Sequence, residues 1–195
     1  MIRFFDIIIS FTGILLLSPI FIILIFIILL DSPGTVLFRQ IRIGKNGNPF
    51  TLLKFRTMKP DTDKLGLLTV GIRDVRITSC GIWIRRFKLD ELPQLFNVLV
   101  GEMSMVGPRP EVKKYVDLYS LEQRKILSIL PGITDMASIV YAKENDILVT
   151  QKNPEEYYIQ VIMPDKILLN LKYVEERNLL NYFSIIFKTL VIFFK

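Results

Sequence analysis

The chain has 195 residues, enough for one domain with an appendage, and 51% of them are apolar against 23% charged. With a mean hydropathy of +0.41 it is too greasy for an ordinary soluble domain and too charged for a polytopic membrane protein, so part belongs in lipid and part in water. Its 25 Lys and Arg against 19 Asp and Glu leave a charge of +6, which suits nucleic acid, an anionic membrane surface or a phosphorylated substrate.

No nucleic-acid-binding motif is present, so nucleic acid is set aside. The one cysteine, Cys80, excludes an internal disulfide and a cysteine-rich metal site. There is no histidine, which removes Ser–His–Asp triads, Cys–His dyads and HExxH zinc sites together. Acid–base or nucleophilic work must fall to carboxylates, Lys, Tyr, Ser or Cys80.

In chain order, the first feature is Ile7–Leu30, a run without a charged residue. As a helix it is long enough to cross a bilayer core of about 30 Å. It exceeds the apolar core of a signal peptide, and no small-x-small site follows. Pro19, at its middle, removes a backbone hydrogen bond and crowds the Leu15 carbonyl, and the Ser18 hydroxyl can bond back to the preceding turn. Arg3 before the run and Arg39, Arg42 and Lys45 after it leave both ends preferring the cytoplasm. On these residues a spanning anchor and a helix–break–helix within one leaflet both remain open.

After the turn cluster Asp31–Gly34, Val36–Phe38 and Ile41–Ile43 are predicted as short strands. Gly44–Pro49 forms a turn before a third strand at Phe50–Phe55. Thr57–Val70 is polar and irregular. The stretch RITSCGIWIRRFKLDELPQLFNVLVGEM predicts two helices joined at Lys88–Pro93. Ile82, Trp83 and Phe87 line a face of the first, and Leu95, Phe96, Leu99 and Val100 a face of the second. Gly107–Pro110 is a stiff turn, and Val112–Leu130 is predicted helical, stopped by Pro131 and Gly132. Tyr182–Phe194 is short for a span and carries Lys188. It reads either as a helix in the membrane interface or as an ordinary buried terminal helix.

The chemistry concentrates in FKLDELPQLFNVLVGEMSMVGPRP, Phe87–Pro110. Pro93 marks a helix start, so Asp90 and Glu91 sit at its mouth, where free N–H groups and the helix dipole favour carboxylates and attract phosphate. Taken alone, such a pair is also ordinary helix-start chemistry. Arg109 lies between Pro108 and Pro110, which restrict its backbone and present a guanidinium fork suited to phosphate or carboxylate. Arg85, Arg86, Lys54 and Arg56 add cations. Basic residues converging on two acids point to a phosphorylated substrate, a divalent cation, and an aspartate able to attack phosphorus.

These motifs carry a resemblance. From RFFDIIIS…LLLSPI through GTVLFRQIRIGKNGNPFTLLKFRTM, LDELPQLFNVLVGEMSMVGPRPE and LPGIT to MPDKILLNLKYVE, the chain resembles the monotopic polyprenyl-phosphate phosphoglycosyl transferases, the bacterial sugar transferase family, in a small minimal form. The resemblance implies transfer of a sugar 1-phosphate from a UDP-sugar to undecaprenyl phosphate, releasing UMP and opening a surface-glycan or glycoconjugate pathway. By that likeness Asp90 is the nucleophile of a ping-pong reaction and Glu91 helps hold Mg²⁺. Arg109 binds phosphate, with Arg85, Lys54 and Arg56 as supporting cations.

The expected fold is α+β and mostly helical. Residues 1–32 form a re-entrant membrane helix broken at Ser18 and Pro19, residues 33–181 a cytoplasmic catalytic domain with a few short strands, and residues 182–195 an interfacial amphipathic helix. The expected location is the cytoplasmic face of the bacterial inner membrane, in one leaflet, and a homodimer is left open. Two departures from the family pattern stand out. Where many members read GITGxxQ, this chain has Asp135 and Ser138, and Arg56 replaces a lysine found in some. The segment YAKENDILVTQKNPEEYY resembles one subgroup with a Glu-Asn segment there, and falls where sugar choice is expected. The alternative reading is a catalytically inert membrane-surface scaffold or polyprenyl-phosphate-binding protein.

Overall fold

A computed structural model of the chain describes residues 1–59 and 74–193. The polar stretch expected over Thr57–Val70 therefore lies mostly outside the described residues, as do residues 194–195.

The first element, α1, is a helix over Ile2–Asp31 with Pro19 inside it. Helical residues continue on both sides of the proline, and Ser18 Oγ donates to Leu15 O at 2.8 Å. The hydroxyl thereby satisfies the carbonyl that Pro19 cannot serve. At 30 residues the helix is about 45 Å long, yet both ends hold the same domain. Near its start, Arg3 donates to Val98 O at 2.5 Å and Leu99 O at 2.9 Å. Near its end, Leu24 and Ile28 pack with Phe55 and Ile84 in one buried cluster.

Asp6, Ser10, Leu24 and Ile28 form the buried stripe of α1, while Phe4, Phe11, Leu15, Leu16, Ile22, Ile23 and Phe26 are exposed. The outward face over Phe4–Phe26 is thus apolar apart from Thr12 and Ser18. A spanning helix would carry one end across the bilayer, away from the water-soluble domain. Here the domain holds both ends, so α1 enters the membrane from one side.

The next elements are β1 (Leu37–Ile43) and β2 (Pro49–Phe55), an antiparallel hairpin in which Leu37 pairs with Phe55 and Ile43 with Pro49. The two short strands expected at Val36–Phe38 and Ile41–Ile43 are one continuous strand. Then come α2 (Ser79–Arg86) and α3 (Gln94–Val100). Thr78 caps α2, accepting from Gly81 N at 3.1 Å. The predicted face of Ile82, Trp83 and Phe87 points outward, where Trp and Phe suit the membrane interface.

A second sheet was not anticipated. Strand β3 (Ser104–Val106) pairs in parallel with β4 (Gly132–Thr134), Ser104 opposite Gly132 and Val106 opposite Thr134. Three-residue strands leave almost no periodic signal. Because the pair is parallel, the chain leaves both strands at the same end, into the Gly107–Pro110 turn from β3 and into Asp135 from β4. Gly132 N donates to Pro108 O and Gly107 N to Thr134 O. A Cβ on Gly132 would overlap the backbone of Gly107, so glycine is required where the two motifs cross.

The long helix expected over Val112–Leu130 is instead α4 (Lys113–Val116) and a 3₁₀ turn over Gln123–Ser128. Tyr115, Val116, Tyr119 and Ile126 all bury into one core, and the break falls at Ser120, whose N donates to Gln123 Oε1 at 2.9 Å while its Oγ accepts from Gln123 N at 3.2 Å, a reciprocal cap that starts a new turn. The remaining helices are α5 (Met136–Val140), α6 (Glu144–Val149), α7 (Pro154–Tyr157), α8 (Met163–Glu175) and α9 (Leu179–Phe193). A π turn over Tyr158–Ile162 joins α7 to α8. Helix α9 begins at Leu179 and combines the two readings offered for it. Tyr182 and Ile185 are buried, while Leu180, Phe183, Phe187 and Leu190 are exposed.

Candidate active site

Lys54 is the last residue of β2 on the strand face that Phe50 and Leu52 share. Phe50 and Leu52, on the same face of the strand, are buried, so alternation aims Lys54 into the domain. After α2, Lys88 takes a left-handed backbone (φ 54°), and Leu89–Glu91 form a 3₁₀ turn leading to Pro93 and α3. That reversal turns Asp90 and Glu91 inward beneath the hairpin. The Gly107–Pro110 turn supplies Arg109 from the end of β3.

The three segments converge on Glu91. Its Oε1 accepts from Lys54 Nζ at 3.0 Å and from Arg109 Nη2. Its Oε2 accepts from Arg109 Nη1 at 3.2 Å. Burial pushes the Glu91 carboxyl up, but Arg109 and Lys54 outweigh it and hold the group well below the usual carboxylate range. In turn Glu91 raises the Arg109 guanidinium above its ordinary value. Burial lowers Lys54, against the pull of Glu91. The Glu91 carboxylate therefore stays ionised and fixes two cations.

Asp90 is different. It is 8% exposed, its Oδ2 lies 4.0 Å from Lys54 Nζ, and its Oδ1 is buried without a hydrogen-bond partner. Burial raises its carboxyl above the ordinary value, opposed by Lys54 and, from further off, Arg85 and Lys88. One oxygen is therefore free to act in a positively charged surrounding.

Of the predicted site residues, the structure brings Lys54, Asp90, Glu91 and Arg109 together. Arg85 contributes charge at Asp90 without a hydrogen bond or ion pair among the described residues. Arg56 is placed elsewhere. Its guanidinium donates to Pro33 O at 2.9 Å and Ser32 O at 2.6 Å, with Ile28 O at 3.5 Å. The predicted phosphate cation instead closes the carbonyl end of α1, where the helix dipole is negative and α1 has no basic residue of its own in its last turn.

Three supporting features were not read from the sequence. Arg42 donates to Pro110 O at 3.1 Å and pairs with Glu111 at 3.4 Å, and Tyr158 Oη donates to Glu111 Oε1 at 2.6 Å. This clamp holds the turn that bears Arg109. Glu111 adjoins the proline turn, but only the tertiary fold brings Arg42 and Tyr158 to it. Asp135, noted as a departure, is buried beside Arg109 and Lys166, and burial raises its carboxyl. Its Oδ1 caps α5 through Ser138 N at 2.6 Å.

Among the described residues there is no group of three or more His, Cys, Asp or Glu side chains suited to a metal ion. A magnesium ion fits as a ligand shared with substrate, since such ions take one or two carboxylates plus phosphate oxygens. Of the two carboxylates Asp90 is the one not tied by a close hydrogen bond, its Oδ1 buried and unpaired and its Oδ2 4.0 Å from Lys54 Nζ. Glu91, the predicted ligand, has both oxygens engaged by Lys54 and Arg109.

A one-sided membrane helix over a carboxylate pair ringed by cations defines a membrane-bound enzyme of phosphoryl chemistry. A family model described as bacterial sugar transferase matches residues 1–195, and the chain belongs to that family. It is a phosphoglycosyl transferase, seated from one side on the cytoplasmic face of the inner membrane.

Among curated relatives, the chain is 38% identical over 165 residues to a UDP-N-acetylgalactosamine-undecaprenyl-phosphate N-acetylgalactosaminephosphotransferase of Aeromonas hydrophila, covering 81% of this chain and 38% of the relative. It is 38% identical over 176 residues to a UDP-glucose:undecaprenyl-phosphate glucose-1-phosphate transferase of Klebsiella pneumoniae, covering 88% and 38%. It is 32% identical over 203 aligned positions to the exopolysaccharide production protein ExoY of Sinorhizobium fredii, covering 96% and 83%. The first two relatives are thus much longer than this chain, and they differ in the sugar they carry.

Proposed function

We propose that the protein transfers a sugar 1-phosphate from a UDP-sugar to undecaprenyl phosphate through a covalent intermediate on Asp90. The acceptor and donor classes are those in the names of the two transferases above. The observation that carries the reading is Asp90 itself: buried, ionisable, with one oxygen unengaged and cations on several sides.

In the first half-reaction an Asp90 oxygen attacks the sugar-bearing phosphorus. The bond from that phosphorus to the bridging oxygen breaks, and UMP leaves with the electron pair. Arg109 and Lys54, held by Glu91, would meet the diphosphate charge. In the second half-reaction an oxygen of the polyprenyl phosphate attacks the phosphorus of the acyl phosphate. Asp90 is released as carboxylate, and a polyprenyl-diphosphate sugar forms. Magnesium, when bound, neutralises diphosphate charge and supports the departure of UMP. Asp90 and the substrate phosphates would hold it, with Glu91 joining only by releasing a cation.

The test is UMP release by the purified protein with undecaprenyl phosphate, Mg²⁺ and a panel of UDP-sugars, with Asp90→Asn alongside. Release with one sugar and its loss in the variant is the expected result. UMP release that persists in Asp90→Asn would remove the covalent step. No release and no phosphosugar adduct from any nucleotide sugar of a cell extract would favour an inert scaffold.

A further inference from the structure

On the face of the hairpin away from Lys54 lies an open groove of about 340 Å³, lined by Arg39, Thr51, Leu53, Phe96, Asn97, Val100 and Glu102. The register pairs Arg39 with Leu53 and Ile41 with Thr51, and paired residues share a sheet face. Lys54 points the other way, so the groove is separate from the cleft.

Three observations bear on what the groove holds. First, it continues the lipid-facing surface. Phe96 lies edge-on to Phe21 of α1 with ring centroids 5.8 Å apart, and Val100 and Ile41 are 72% and 61% exposed. Second, it carries one charge of each sign. Arg39 makes no hydrogen bond or ion pair among the described residues and is not paired with Glu102. Third, Glu102 has only its Oε2 engaged, by Asn97 Nδ2 at 2.6 Å. Asn97 is itself fixed by Leu53 N at 3.1 Å and Thr51 O at 2.8 Å. The carboxylate is therefore held in position with one oxygen open, in a wall that also presents an unpaired guanidinium.

We infer that this groove binds a zwitterionic phospholipid headgroup, of the phosphatidylethanolamine type. Arg39 takes the phosphate, Glu102 Oε1 takes the ammonium, and the upper acyl chains lie on Phe96, Val100 and Ile41. The chemistry separates this ligand from its rivals. A phosphatidylglycerol headgroup answers Arg39 equally but offers Glu102 a neutral hydroxyl in place of the ammonium, and a polyprenyl phosphate offers it no cation at all. A choline headgroup carries the positive charge but has no N–H to donate.

The experiment uses the full chain in mild detergent with equimolar phosphatidylethanolamine, phosphatidylglycerol and phosphatidylcholine of identical acyl chains. Native mass spectrometry then counts the lipids retained. Phosphatidylethanolamine should be retained about tenfold over the other two, the scale of one charge-assisted hydrogen bond. Glu102→Gln should bring it down to the phosphatidylcholine level, and Arg39→Gln should lower retention of all three lipids, which share the phosphate. Glu102→Gln keeps an acceptor for Asn97, and neither residue lies in the cleft, so turnover should be unchanged. Equal retention of the three lipids, a preference that survives Glu102→Gln, or retention indifferent to Arg39→Gln would overturn the inference as mere annular lipid. A preference for phosphatidylglycerol indifferent to Glu102→Gln would overturn it in favour of an anionic site.

Discussion

Asp6, where α1 meets the domain, and Asp90, in the cleft, are both buried and are treated in opposite ways. Asp6 Oδ1 accepts from Ser104 Oγ at 2.9 Å, Met105 N at 2.8 Å and Tyr182 Oη at 2.8 Å. One carboxylate thus ties α1 to β3 and α9. Asp90 Oδ1 accepts nothing, and its Oδ2 has only Lys54 at 4.0 Å. A buried carboxylate fully supplied with donors is an anchor. One left open among cations is strained in solvation and ready to gain a partner. The same contrast separates Arg56, engaged by the carbonyls after α1, from Arg109, whose partner is a cleft carboxylate.

The sharpest way to break this contrast is to exchange the functions by mutation. Asp90→Asn should lower transfer by at least about a thousandfold, read as UMP release. Its melting temperature should not fall, because burial already disfavours the ionised form. A thermal loss with retained turnover would invert the assignment. Asp6→Ala should act the other way, leaving three donors unmatched. It should cost about 3 kcal/mol, read as a lower melting temperature in detergent, while enzyme assayed well below that temperature keeps most of its turnover.

Lys54→Gln sharpens the cleft side through pH. Attack requires ionised Asp90, so the rate falls as pH drops through the carboxyl pair. Lys54 pulls Asp90 downward. Removing it should therefore move the acid limb of the pH–rate profile to higher pH, beyond the slower rate itself, with the limb belonging to the coupled Asp90–Glu91 pair. An unmoved limb would mean that Lys54 does not act on Asp90. Arg56→Gln tests the cation contrast. It should lower the melting temperature by several degrees and leave KM for the nucleotide sugar within about twofold. A large rise in KM with unchanged melting would restore Arg56 to the phosphate site. Smallest is Ser18→Ala, about 1 kcal/mol or less in melting, since only the Leu15 carbonyl loses a partner.

Much of the cleft could be read directly from the chain because its residues lie in compact motifs. Asp90, Glu91 and Pro93 adjoin, and Arg109 stands between its prolines. The serine that serves the carbonyl freed by Pro19 was likewise visible as a local pairing. The illegible part depends on contacts between distant segments. Arg56 and Lys54 lie close together in the chain with equal charge, and only α1 folding back decides that Arg56 ends the helix. The β3–β4 pair is too short to leave a pattern, so the crossing of Gly107 and Gly132, and with it the seat of Arg109 beside Asp135, was hidden. The break of the expected Val112–Leu130 helix, by contrast, falls at the reciprocal cap between Ser120 and Gln123, a local S-x-x-Q signal that the apolar pattern on either side concealed.

The most direct test of Asp90 as nucleophile is intact-protein mass spectrometry after mixing the enzyme with Mg²⁺ and the UDP-sugar that supports turnover, in the absence of any polyprenyl phosphate. A gain equal to one sugar 1-phosphate, mapped to Asp90, accompanied by one equivalent of UMP and discharged on adding undecaprenyl phosphate, is the expected result. UMP formed only when both substrates are present, with no adduct at any time, would contradict it and leave direct transfer between the two substrates.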